Sequence, residues 1–146
     1  MSRIARFCIV AALAWQAISP AAMAQDPAAV AVPLRVKQVD GKSVSGTISG
    51  WDATGCTGDF GRVEWSDLKA TDTNRVLRKL VNEKDPAQML LLGRAVLSTE
   101  DGQKLGEATL REASRLAGQS REAVDAARAE GMDASRRAAE RRVRAA

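Results

Sequence analysis

The chain has 146 residues, enough for one ordinary domain, and its 45% hydrophobic and 27% charged residues exclude a protein embedded in a membrane throughout. It contains no histidine and no tyrosine, so imidazole bases, imidazole metal ligands and phenolic acids are excluded by composition. The net charge of +4 is concentrated at the ends: Arg3 and Arg6 at the start, and Arg136, Arg137, Arg141, Arg142 and Arg144 against Glu140 at the finish, leaving the interval between them acidic on balance.

The first segment has the pattern of a secretory signal peptide. Arg3 and Arg6 precede an apolar run from Phe7 to Ile18, Ser19-Pro20 ends it, and Ala22-Met23-Ala24 places small residues where a signal peptidase reads them. Cleavage is expected between Ala24 and Gln25. An apolar run of about 12 residues at 1.5 Å each spans roughly 18 Å, short of the ~30 Å hydrocarbon core of a bilayer, so no stable anchor is expected after cleavage. Cys8 leaves with the leader. Cys56 is then the only cysteine, and one thiol makes no internal bridge.

Residues 25–33 read as an extended lead-in, whose Val30 and Val32 lead into the first strand at Leu34. From Leu34 to Ala70 the texture is that of a small β module. Leu34 to Lys37 alternates, Asp40-Gly41 is a hairpin dipeptide, and Ser43 to Trp51 alternates again. Gly46 and Gly50 fall on the face of Val44 and Ile48, where a bend or a close backbone approach is expected. Asp52 to Gly55 is a turn, a weak strand follows around Cys56 to Phe60, and Arg62 to Trp65 is the last. Strands this short and closely spaced predict a small curved antiparallel sheet or barrel.

Residues 71–118 read as helical. Ser66-Asp67-Leu68 suits a single turn with Asp67 as a cap, and Thr71 or Asp72 opens a helix carrying Val76, Leu77, Leu80 and Val81. Asp85-Pro86 is a strong helix start, a capping carboxylate followed by proline at the first helical position. That helix is expected to end near Ser98. After the Glu100-Asp101-Gly102 turn, a second helix runs to Gly118, forming an antiparallel pair with the first. Residues 119–146 are an alanine- and arginine-rich tail, read as one or two helices: one capped by Ser120 and, if Gly131 divides them, another after it carrying Met132, Ala139 and Val143. Alanine and serine stand where leucine would bury more area, so weak docking is expected, with Asp133–Arg137, Arg136–Glu140 and Glu140–Arg144 pairs. The fold class is therefore α+β.

The segments Val39-Asp40-Gly41, Val44-Ser45-Gly46, Trp51-Asp52 and Val63 to Leu68, followed by a basic helix and an Asp-Pro-Ala helix holding Leu91-Leu92-Gly93, resemble a largely uncharacterised class of exported bacterial proteins. These join a small SH3-like or Sm-like β-barrel to a tetratricopeptide-like helical pair. The resemblance spans Leu34 to Gly118 and implies a degenerate hairpin with Met89, Leu92, Gly93 and Val96 on one helix, Leu110 and Ala113 on the other, and Gly106 near the small packing position. The usual aromatics are aliphatic here, Gly118 replaces the closing proline, and one hairpin does not build the concave groove of a repeat array.

Few side chains invite chemistry. Cys56 lacks an imidazole to activate it and reads as an inert packed thiol, with pairing between chains as the alternative. Asp52, Asp59, Glu64 and Asp67 could form a carboxylate pair, but Asp52 is explained as a turn residue and no aspartic-protease triplet occurs. No metal-ligand spacing, phosphate-binding loop or dinucleotide motif is present, so no cofactor or metal is expected. Trp65 reads as core. Trp51, on the face opposite Val44 and Ile48 by alternation, is a candidate partner contact, as are Arg136, Arg137, Arg141, Arg142 and Arg144. The sequence thus points to a non-enzymatic protein, periplasmic or secreted, that contacts another protein. The alternative is binding of an anion (nucleic acid, another polyanion or a membrane surface) through the arginine tail. A hydrolase working through Asp52 or Asp59 is the third and least supported reading.

Overall fold

The computed structural model describes residues 32–146; the expected leader with Cys8, the expected cleavage between Ala24 and Gln25 and the lead-in through residue 31 lie outside the described residues. Four strands come first: β1 (Val32–Lys37), β2 (Ser43–Trp51), β3 (Gly55–Gly58) and β4 (Gly61–Glu64), antiparallel in the order β1-β2-β3-β4. The Asp40–Gly41 hairpin forms as its sequence dictates. Gly41 takes φ +91°, Gln38 N–H donates to Lys42 O at 2.8 Å, and the Asp40 carboxylate accepts from Lys42 N–H at 3.0 Å. Of the two forms expected, the open sheet is observed and the closed barrel is not, with β1 and β4 as its edges. Just past β1, Gln38 pairs with Leu68, and Val39 N–H donates to Asp67 O at 2.8 Å, so the chain after β4 curls back to the first hairpin.

The β2–β3 register breaks at one point. Ile48 pairs with Gly58 but Gly50 with Thr57, so Ser49 is an extra residue on β2 and the strand bulges. Beyond the bulge Trp51 pairs with Cys56, which brings the indole onto the face of Ile48 and corrects the placement that alternation predicts. Trp51 is half-buried against the main core. Gly46 is approached by side chains and not by the backbone expected there: a Cβ on it would strike the Asp59 and Phe60 side chains.

A short 3-10 turn (Trp65–Asp67) leads into α1 (Ala70–Leu80), α2 (Pro86–Leu97), α3 (Gln103–Ser114) and α4 (Arg121–Ala145). Asp85 caps α2 as expected, accepting from Ala87 N–H at 2.9 Å, and Ser120 caps α4, accepting from Ala123 N–H at 3.1 Å. Two local expectations fail. Asp67 lies inside the 3-10 turn, which has no side-chain cap bond. Neither Thr71 nor Asp72 opens α1; it starts at Ala70, whose N–H is held at 2.9 Å by the Asp101 carboxylate from the α2–α3 turn. A cap supplied from so far along the chain has no local sequence signature.

Of the one or two helices expected in the tail, one is observed, 25 residues long and unbroken at Gly131. Glycine costs about 1 kcal/mol in a helix interior, yet here its bare Cα is required by packing. A Cβ on Gly131 would lie 2.7 Å from Leu97 Cβ and 2.8 Å from Arg94 O on α2. Gly93 and Gly106 play the same part between α2 and α3, where added Cβ atoms would meet Leu110 at 2.6 Å and Leu97 at 2.5 Å. Gly93 facing Leu110 while Leu97 faces Gly106 gives the antiparallel sense of that hairpin. Ala127 and Ala138 are buried on α4, while Met132 and Val143, expected to lie together on an apolar stripe, are exposed. Small side chains let α4 approach closely and gain dispersion contact that its low apolar area would not suggest.

One large core joins Leu34, Ile48, Cys56 and Trp65 to Leu77, Leu92 and Val96, so sheet and helices share an interior. Leu97, Leu110, Val124 and Ala127 form a smaller cluster among α2, α3 and α4.

Candidate functional site

Where α4 overruns the end of α2 it meets the sheet, and a cleft of about 210 Å³ opens between them. Thr54, Glu64 and Ser66 form the sheet side, Arg94 and Ser98 come from the end of α2, and Arg137 and Arg141 from α4. The last two are four residues apart and therefore share a helix face. Arg141 Nη2 donates to Glu64 Oε2 at 3.0 Å and to Ser66 Oγ at 3.5 Å, and Arg142 Nη1 donates to Ser66 O at 3.2 Å. Arg94 Nη1 pairs with Glu130 at 2.6 Å. Asp133 takes Arg137 Nη1 at 2.8 Å and Arg136 as well, in place of the expected Arg136–Glu140 pair. Ser135 Oγ adds a bond to Thr99 O at 3.3 Å.

The arginine cluster is therefore divided. Arg141 and Arg142 fasten α4 to the Trp65–Asp67 turn, Arg137 and Arg141 line the cleft, and Arg136 and Arg144 stay exposed. Arg94, which the sequence reading missed, lines the same cleft as Arg137. A lone cation in the apolar run of α2 is the only signal it leaves, and its distance from the tail in sequence hides the pairing.

The groups weighed for catalysis have structural work. The Asp52 carboxylate accepts from Thr54 N–H at 2.7 Å, from Gly55 N–H at 3.0 Å and from both terminal nitrogens of Arg62 at 3.2 Å. Partial burial pushes its pKa up, but the Arg62 guanidinium, the Thr54 hydroxyl and those amides outweigh it and hold the group at about 2. Asp59 accepts from Thr47 N–H at 2.8 Å beside the bulge. Asp67 is raised, chiefly by burial and then by the Glu64 charge, with Arg141 and Arg142 opposing. Cys56 is fully buried, and desolvation pushes its thiol up to about 11, which disfavours both a nucleophilic thiolate and a bridge to another chain while the fold is intact. Trp65 is fully buried and its Nε1–H donates to Asp52 O at 2.8 Å, tying the core to the β2–β3 turn. Among the described residues no group of three or more histidine, cysteine, aspartate or glutamate side chains is placed to hold a metal ion, and no helix is long and apolar enough to cross a membrane.

Set against protein-family models, curated proteins and solved structures, the chain matches none of them.

Proposed function

We propose that this is an exported, non-enzymatic protein of the periplasm or extracellular space that works by contact with another protein. The leader at residues 1–24 supports export. The observation that carries the contact reading is the outward face of α4, where Met132 is 49% and Val143 76% exposed, the large apolar side chains most open to solvent among the described residues. Met132, Arg136, Ala139 and Val143 recur at helical spacing along one stripe, away from buried Gly131 and Ala138. An apolar and arginine-bearing stripe on a rigid helix suits a protein interface, where methionine and arginine are enriched.

The tetratricopeptide-like reading of the α2–α3 pair belongs to this proposal. Close crossings at Gly93 and Gly106 support it. The polyanion reading is weakened because Arg141 and Arg142 face the Trp65–Asp67 turn.

The test is affinity capture from a periplasmic extract with the chain from Gln25 onward and with its Met132→Glu/Val143→Glu variant. Both positions are exposed, so the variant is expected to melt within a few degrees of the parent, about 0.5 kcal/mol. Loss of a captured protein at unchanged stability is the expected result. Retention of the partner by the variant, or capture that vanishes equally for both chains as salt is raised, contradicts the reading and favours the arginine tail.

A further inference from the structure

Three arginines converge on the cleft between sheet and α4, each anchored to one carboxylate: Arg94 to Glu130, Arg137 to Asp133 and Arg141 to Glu64. Arg94 enters from α2, Arg137 and Arg141 from successive turns of α4, and Glu64 is the one acid on the wall. Glu130 and Asp133 each engage a single terminal nitrogen of Arg94 and Arg137, orienting the guanidinium while leaving its other N–H edges open. The hydroxyls of Ser98 and Ser66 donate to Ala95 O and to Glu64, so the arginines supply the donors.

We propose that this cleft binds a phosphate group, as the free ion or as a small monoester. Guanidinium forks arriving from two helices suit a tetrahedral oxyanion, because each keeps N–H donors beyond the nitrogen its own carboxylate engages. At about 210 Å³ the cleft falls below the roughly 300–1,000 Å³ typical of drug-sized ligands, so it holds a phosphoryl group with few attached atoms. Arg136 and Arg144 do not line it, which separates this site from a diffuse polyanion-binding tail. The site is independent of the contact stripe on α4, and either can fail alone.

The test is calorimetric titration of the chain from Gln25 onward at constant ionic strength with inorganic phosphate, glycerol phosphate and acetate. Arg136→Gln and Arg137→Gln both remove a partner of Asp133, but only Arg137 faces the cleft. Saturable one-to-one binding of phosphate or glycerol phosphate is expected, weakened about tenfold by Arg137→Gln and unchanged by Arg136→Gln. Tighter binding of the ester identifies a monoester as ligand, and tighter binding of the free ion identifies phosphate itself. Equal loss in the two variants, acetate binding as strong as phosphate, or no saturation at millimolar concentration overturns the proposal.

Discussion

Asp52 shows how one side chain organises the region around it. Its carboxylate collects two turn amides and the Arg62 guanidinium, while its carbonyl receives the Trp65 indole, so the β2–β3 turn, β4 and the core are fixed by one residue. The folded pKa of about 2 lies below the ordinary 3.8, so the carboxylate contributes stability that is present above pH 3.8 and lost as pH falls towards 2. The side chain is 46% exposed, which limits the contribution through solvent screening. Asp52→Asn is expected to cost about 1 kcal/mol at pH 7 in urea denaturation, with the difference from the parent shrinking between pH 4 and pH 2. A difference constant across that range contradicts the assignment. At this scale the turn role of Asp52 was legible from the Asp-Ala-Thr-Gly segment; the bond from Trp65 was not, because it joins residues that only the folded sheet brings together.

Among elements, α2 is the axis: α3 crosses it at Gly93 and Gly106 and α4 at Gly131. Propensity alone says that Gly131→Ala should stabilise α4 by about 1 kcal/mol. The packing says the reverse. A methyl 2.8 Å from a backbone oxygen of α2 cannot be relieved by rotating a side chain, so the helices must separate, and a net loss of about 1–3 kcal/mol is expected in thermal denaturation followed by circular dichroism. A stabilised variant would show that the crossing is looser than described. The same residue marks the limit of sequence reading. Asp85-Pro86, Asp40-Gly41 and Ser120 are signals written within a few residues, and each forms as read. Gly131 reads locally as a stop, whereas its role is set by α2. Asp101 capping α1 and the bulge at Ser49 that turns Trp51 inward are likewise contributed by distant partners. The candidate cleft was half legible: its α4 arginines were singled out, but not Arg94 or the fold that faces them.

For the molecule as a whole, α4 is the member that joins the parts. Its first half packs on α2 and α3 through Val124, Ala127 and Gly131, and its second half reaches the sheet side through Ala138, Arg141 and Arg142. This placement forms the cleft and turns Met132 and Val143 outward, so both functional proposals depend on a docked tail. Native-state hydrogen exchange on the chain from Gln25 onward measures that docking directly. The account predicts that amides of α4 from Ala127 to Arg142 are protected to a level approaching those of β2 and α2, with fraying confined to the last turn. Exchange at unprotected rates from Gly131 onward, while β2 and α2 stay protected, would contradict it.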